Sequence, residues 1–141
     1  MMKEYTCTHL VKSEDLNHHS TLFAGRMAEW FVEASFVAAA GLHGEPADIV
    51  CIKIHGMEFP EPVVKGCLLF LYSKVVYAGK TSLTVYTYST AGNDDTVLTD
   101  GFVSFVCVDE KGKKKPHNIV LPEPENDHEA KIRDMAIAIR K

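Results

Sequence analysis

The sequence predicts an α+β domain in which an antiparallel sheet curves around one central helix, and three observations carry that prediction. The run Phe23 to Ala40 contains no proline and a single glycine, Gly25, and is rich in Ala, Met, Trp, Phe and Val, long enough for several helical turns. Four β-like segments follow it, Asp48 to Met57, Cys67 to Tyr77, Lys80 to Thr90 and Val97 to Asp109. Their connections, such as Pro60-Glu61-Pro62, Ala78-Gly79, Ala91 to Asp95 and Lys111-Gly112, are short and carry the turn chemistry that joins antiparallel neighbours. One buried helix followed by such strands is an α+β arrangement.

Tyr5 to Val11 alternates and is β-branched enough for a first strand, ending at the polar turn Lys12-Ser13-Glu14-Asp15. In the helix, steps of about 100° per residue gather Arg26, Glu29 and Glu33 into a sector of roughly 60°. Met27, Trp30, Phe31, Val32, Ala34, Val37 and Ala38 cover most of the rest, which predicts a largely buried helix with one narrow polar stripe. Gly41 and the Gly44-Glu45-Pro46 turn are expected to stop it. Asn126-Asp127 can cap a last helix, about 126–141, where Ile132, Met135, Ala136 and Ile139 follow amphipathic spacing.

With 141 residues, 46% of them hydrophobic, the chain suits one domain over residues 1–141. A formal net charge of −4 argues against a general nucleic-acid partner, which needs a basic surface. Apolar runs such as Leu68 to Tyr72 fall far short of the ~20 residues that cross a bilayer, so no membrane partner is expected. The opening Met1 to Tyr5 lacks the apolar core of a secretory signal, which makes the cytoplasm the expected location. The four cysteines are far apart and lie in apolar runs, so buried reduced thiols are expected. No metal set emerges from the seven histidines by spacing.

Glu14-Asp15-Leu16-Asn17-His18-His19-Ser20-Thr21-Leu22-Phe23-Ala24-Gly25-Arg26 resembles the opening motif of the hotdog acyl-CoA thioesterases. Ile54 to Phe59, Pro62-Val63-Val64-Lys65-Gly66, Gly79-Lys80-Thr81-Ser82 and Phe105 to Asp109 match later landmarks of that family in order, so the resemblance covers roughly Tyr5 to Pro122. It implies a hotdog fold with an extra C-terminal helix and dimers that share a sheet. It also implies active sites at the dimer interface, and hydrolysis of an acyl-CoA to free acid and CoA. No metal or organic cofactor is implied, coenzyme A entering as part of the substrate. Two residue types carry the family's chemistry: a loop asparagine, which Asn17 matches, and a helix aspartate, whose place Val32 occupies, with Glu33 next to it.

Thioester hydrolysis needs an attacking water or carboxylate, and donors aimed at the carbonyl oxygen as charge develops there. The Ala24-Gly25 step opens the helix, where a free backbone N–H and the helix dipole suit that oxygen. Gly25 either allows close approach of the substrate or eases packing of the helix start. Asn17 either orients a water or forms an Asx turn. Glu33 is the candidate carboxylate, or else the partner of an intrahelical ion pair with Arg26. It points about 100° away from Val32. His18, His19, Ala24 and Arg26 complete the substrate-binding group around the helix start. Lys80, Thr81 and Ser82 follow a turn where the family approaches CoA, and Lys113, Lys114 and Lys115 either meet phosphates or form a solvated hairpin tip. Two alternatives stay open: a hotdog dehydratase using His19 and Glu33, and a non-catalytic acyl-CoA or acyl-carrier binding module. A homodimer, or a higher oligomer built from dimers, is expected, since a sheet of this kind leaves edges to be covered.

Overall fold

A computed structural model describes residues 2–140. Strand β1 is Glu4–Leu10, helix α1 is Ala24–His43, and strands β2 to β5 are Ile49–Ile54, Leu68–Ala78, Ser82–Ala91 and Asp94–Cys107. Helix α2, Asp127–Ile139, closes the chain. The strands form one antiparallel sheet in the order β1-β3-β4-β5-β2, so β1 and β2 are its two edges.

Period-2 alternation sorts the long strands into two faces. Leu69, Leu71, Val75, Leu83, Val85, Val103 and Phe105 point inward and are almost wholly buried against α1. The helix answers with Phe31 and with Ala34, Ala38 and Ala39, whose small side chains let its backbone lie close to the sheet. Burial of Phe31 alone is worth about 1.5–3 kcal/mol. On the opposite face, Ile132 and Ala136 of α2 cover Val76, Tyr86 and Phe102. Asn126 caps α2 by accepting from the Glu129 N–H at 2.8 Å, as its sequence position suggests.

The inner face contains one polar chain. Ser35 Oγ lies 2.7 Å from Thr87 Oγ1, which lies 2.8 Å from Ser73 Oγ, all three residues being buried. Ser35 also reaches the Phe31 carbonyl at 2.8 Å, so it keeps a partner if Thr87 is lost, whereas Ser73 does not have that bond. Thr87→Val is therefore expected to destabilise the protein by about 1–3 kcal/mol through the stranded serine hydroxyl. Thermal unfolding of the variant measures this, and an unchanged midpoint contradicts it.

Of the boundaries that differ from the sequence reading, two have a clear cause. Helix α1 runs through Gly41 to His43 and stops only at Gly44, which adopts φ 92° and donates its N–H to Ala40 O at 2.8 Å. Gly41 is glycine for packing, because a Cβ there would sit 2.7 Å from the Tyr5 ring of β1. Strand β5 starts at Asp94, so the β4–β5 turn is Gly92-Asn93 alone, with Gly92 at φ 61°. The cysteines differ too: Cys107 is buried, Cys7 and Cys67 are half-buried, and Cys51 is exposed on β2.

Candidate active site

The segment before α1 folds back on itself. Asn17 N–H donates to Thr21 O at 2.7 Å, Leu16 bridges Leu22, and Ser20 takes the left-handed conformation at φ 64° to close the loop. The Asn17 side chain holds this shape, its Oδ1 accepting from the N–H groups of His19 at 2.8 Å and Thr21 at 3.2 Å. Its Nδ2 donates to Thr21 Oγ1 at 3.1 Å. The Asx-turn role is thus present, and Asn17 also borders a cleft of about 310 Å³.

Apolar side chains of Met27, Phe59, Val63 and Leu98 wall that cleft, with Asn17 and Thr99 among its polar groups. The start of α1 opens into it at Ala24. Phe23, the N-cap, provides no side-chain cap. The N–H groups of Arg26 and Met27 are the ones that turn back to Phe23 O, each at 3.0 Å, which leaves the Ala24 and Gly25 N–H without an intrahelical acceptor. At the positive end of the helix dipole, next to an apolar chamber, two such donors suit a carbonyl oxygen gaining negative charge. Gly25 has a packing reason as well, because a Cβ there would lie 2.5 Å from the Phe23 ring.

Other sequence candidates lie apart from the cleft. Arg26 pairs with buried Asp15 at 3.2 Å and with Glu29 at 3.3 Å, tying the Ser13–Asp15 turn to the helix. Within the protomer its guanidinium is thus engaged by these two carboxylates. His18 and His19 are exposed, their rings 3.9 Å apart at the loop tip. Glu33 is exposed, not buried as the sequence reading required, and borders β1: burial pulls the His9 pKa down, while the Glu33 charge opposes that shift. Burial and then Glu33 push the Cys7 thiol up. His9 itself stacks on Trp30 with centroids 4.2 Å apart. Within one protomer, then, Glu33 meets neither Asn17 nor His19.

Thr81 and Ser82 border a second depression, also about 310 Å³, where α2 ends against the sheet. Lys53, Lys114 and Arg140 line it with no carboxylate among the lining residues, a local cationic patch on a chain of net charge −4. Arg140 is held over the Tyr77 ring at 4.3 Å and donates to Ser82 Oγ at 3.3 Å. Lys80 is exposed beside this patch, and Lys115 is occupied elsewhere, 3.1 Å from Asp48 Oδ2.

Spacing alone also missed a cluster built from three elements, in which His43, Asp48 and Cys107 bring their ligand-type atoms within 4.8 Å of one another. His43 Nε2 is 2.9 Å from Asp48 Oδ2 and 3.7 Å from Cys107 Sγ. The hydrogen bonds from His43 and Lys115 hold the Asp48 carboxyl below the usual range, while burial pushes the Cys107 thiol up. Lys115 supplies the positive charge beside Asp48, and the cluster fastens the end of α1 to β5.

Residues 19–94, more than half the chain, match the thioesterase superfamily model. The chain belongs to that superfamily, and its fold is the hotdog. It is 27% identical over 118 residues, 80% of this chain and 67% of the other, to an uncharacterised acyl-CoA thioester hydrolase of Bacillus subtilis (strain 168). A hexameric acyl-CoA thioesterase crystallised in its apo form superposes with a TM-score of 0.86 at 28% identity, over 97% of this chain and 88% of that one. An acyl-CoA hydrolase of Staphylococcus aureus, solved with butyryl coenzyme A, coenzyme A and coenzyme A disulfide, gives 0.82 at 25% identity over 97% and 81%. Among the described residues, no helix is long and apolar enough to cross a membrane.

Proposed function

We propose that the protein hydrolyses acyl-CoA thioesters in the Asn17 cleft. The observation that carries this reading is the uncapped start of α1 opening into an apolar chamber beside Asn17. The acyl chain lies against Met27 and Leu98, its carbonyl oxygen accepts from the Ala24 and Gly25 N–H, and Asn17 fixes the loop that shapes the site. Those donors act on the charge that forms as water adds to the carbonyl, where such interactions are worth most. The carboxylate that the sequence suggests, Glu33, acts in this scheme only if a second subunit delivers it.

A second subunit is itself part of the proposal. Edge strand β2 presents Val50, Ile52 and Ile54 at 45%, 57% and 48% exposure, an apolar edge of the kind that pairs with a copy of itself. The hexameric state named for one relative agrees with this. The cationic depression at Thr81 and Ser82 is the proposed seat for the phosphates of CoA, with exposed Lys80 preceding Thr81 in the chain.

Free-thiol release from short, long and aromatic acyl-CoAs tests the proposal. Turnover of at least one is expected, with no added metal. Lys53→Ala combined with Arg140→Ala should raise KM about tenfold and leave kcat nearly unchanged, as expected for charge contacts remote from the reacting bond. Tight acyl-CoA binding with no thiol release would instead identify a binding module, the reading favoured by the missing carboxylate at Val32. Rapid hydration of an enoyl-CoA would identify the dehydratase.

A further inference from the structure

We infer that Glu61 is the catalytic carboxylate of this protein, a role that rests on the thioesterase reading above. The helix position where the family resemblance expects an acid is Val32, and Glu33 lies toward β1, away from the cleft. Among the residues lining the Asn17 cleft, Glu61, itself exposed and also bordering a neighbouring depression with Asp94 and Thr96, is the one with an ionisable side chain. The segment that follows it is tied to the loop leading into α1. Leu22 N–H donates to Val63 O at 2.8 Å, and Thr21 bridges Val64 in antiparallel fashion. Glu61 lies two residues before Val63 in this segment, and both Glu61 and Ala24 line the cleft. Pro60 and Pro62 flank Glu61 and fix φ on either side, which limits its backbone freedom.

One small cleft thus brings together a carboxylate, the helix start at Ala24 and apolar side chains, with the Gly25 N–H next in the chain. In the reaction, the Glu61 carboxylate takes a proton from a water whose oxygen bonds to the thioester carbon. The carbonyl oxygen becomes an oxyanion on the Ala24 and Gly25 N–H. Collapse re-forms the C=O bond and breaks C–S, the departing sulfur receives the proton from Glu61, and the products are the free acid and CoA thiol. No other reactant is needed. A purely structural Glu61, capping the helix start, predicts a different pattern: Gln keeps most of a cap's hydrogen bonding but removes the base.

The test compares wild type, Glu61→Gln, Glu61→Asp, Glu33→Gln and, as a control from the same loop outside the cleft lining, Glu58→Gln. Steady-state thiol release over pH 4 to 9 and thermal unfolding are both recorded, over that range of about five pH units so that a carboxylate limb is captured. Glu61→Gln is expected to lower kcat at least ~100-fold, the scale of general-base catalysis, with KM and the unfolding midpoint close to wild type. It should also erase the acid limb of the kcat profile, while Glu61→Asp retains that limb at reduced rate. Glu58→Gln is expected to match wild type. Near-normal turnover of Glu61→Gln overturns the assignment, as does a loss of kcat that tracks a loss of stability. Loss of turnover in Glu33→Gln but not in Glu61→Gln moves the base to Glu33 and leaves the thioesterase reading intact. Wild type inactive on every acyl-CoA overturns both.

Discussion

Ile52→Glu is expected to convert the protein from oligomer to monomer. Ile52 lies at the bulge in β2 between Cys51 and Lys53, on an edge with no neighbour in the protomer, and is 57% exposed there. A two-fold interface places the substitution in both subunits, so the burial of two isoleucine side chains, about 4 kcal/mol together, is lost at once. That corresponds to roughly a thousandfold in the dissociation constant, before the cost of bringing two carboxylates together. Sedimentation velocity across a dilution series measures the change. A monomer that keeps full turnover would show that the cleft is complete in one subunit, and an undisturbed oligomer would place the interface elsewhere.

How much of this was legible in the sequence depends on whether a residue's role is local. The strands, both helices and the class of fold follow from periodicity and turn chemistry, which act over a few residues. Gly41 misleads because glycine signals either a stop or a close contact, and only the position of Tyr5 on β1 decides between them. The Ala91 to Asp95 segment reads as a loop by composition, yet Asp94 and Asp95 begin β5 once Gly92 supplies the turn. The site splits in the same way. Asn17 and the Ala24-Gly25 step are visible because loop and helix start adjoin in sequence, and the cleft contains both Asn17 and Ala24. Glu61 reads in the sequence as part of a Pro-Glu-Pro turn, and its place beside the cleft depends on a strap that pairs residues 63 and 64 with residues 22 and 21. An acid held between two prolines was the available signal. Glu33 drew attention through helix periodicity, which gives a direction around the axis but cannot say which neighbour lies there; here it is β1.

Asn17→Ala and Asn17→Asp should separate loop building from catalysis, because alanine removes the whole amide and aspartate only its donor. Alanine deletes the acceptor for the His19 and Thr21 N–H together with the donor to Thr21 Oγ1. At about 0.5–1.5 kcal/mol per hydrogen bond, partly recovered from water, a loss near 1–2 kcal/mol is expected. For a chain of this size that lowers the unfolding midpoint by about 2–4 °C for each kcal/mol. Aspartate keeps both backbone bonds and should leave the midpoint close to wild type. In the cleft, however, it replaces the amide donor with a negative charge near the Ala24 and Gly25 N–H, where the oxyanion must form. Turnover by Asn17→Asp should therefore fall about 100-fold or more despite an intact loop, as a group at the reacting centre is worth that much. If it instead hydrolyses acyl-CoA at nearly the wild-type rate, Asn17 serves only the turn, and the helix amides with Glu61 are left as the chemical apparatus of the site.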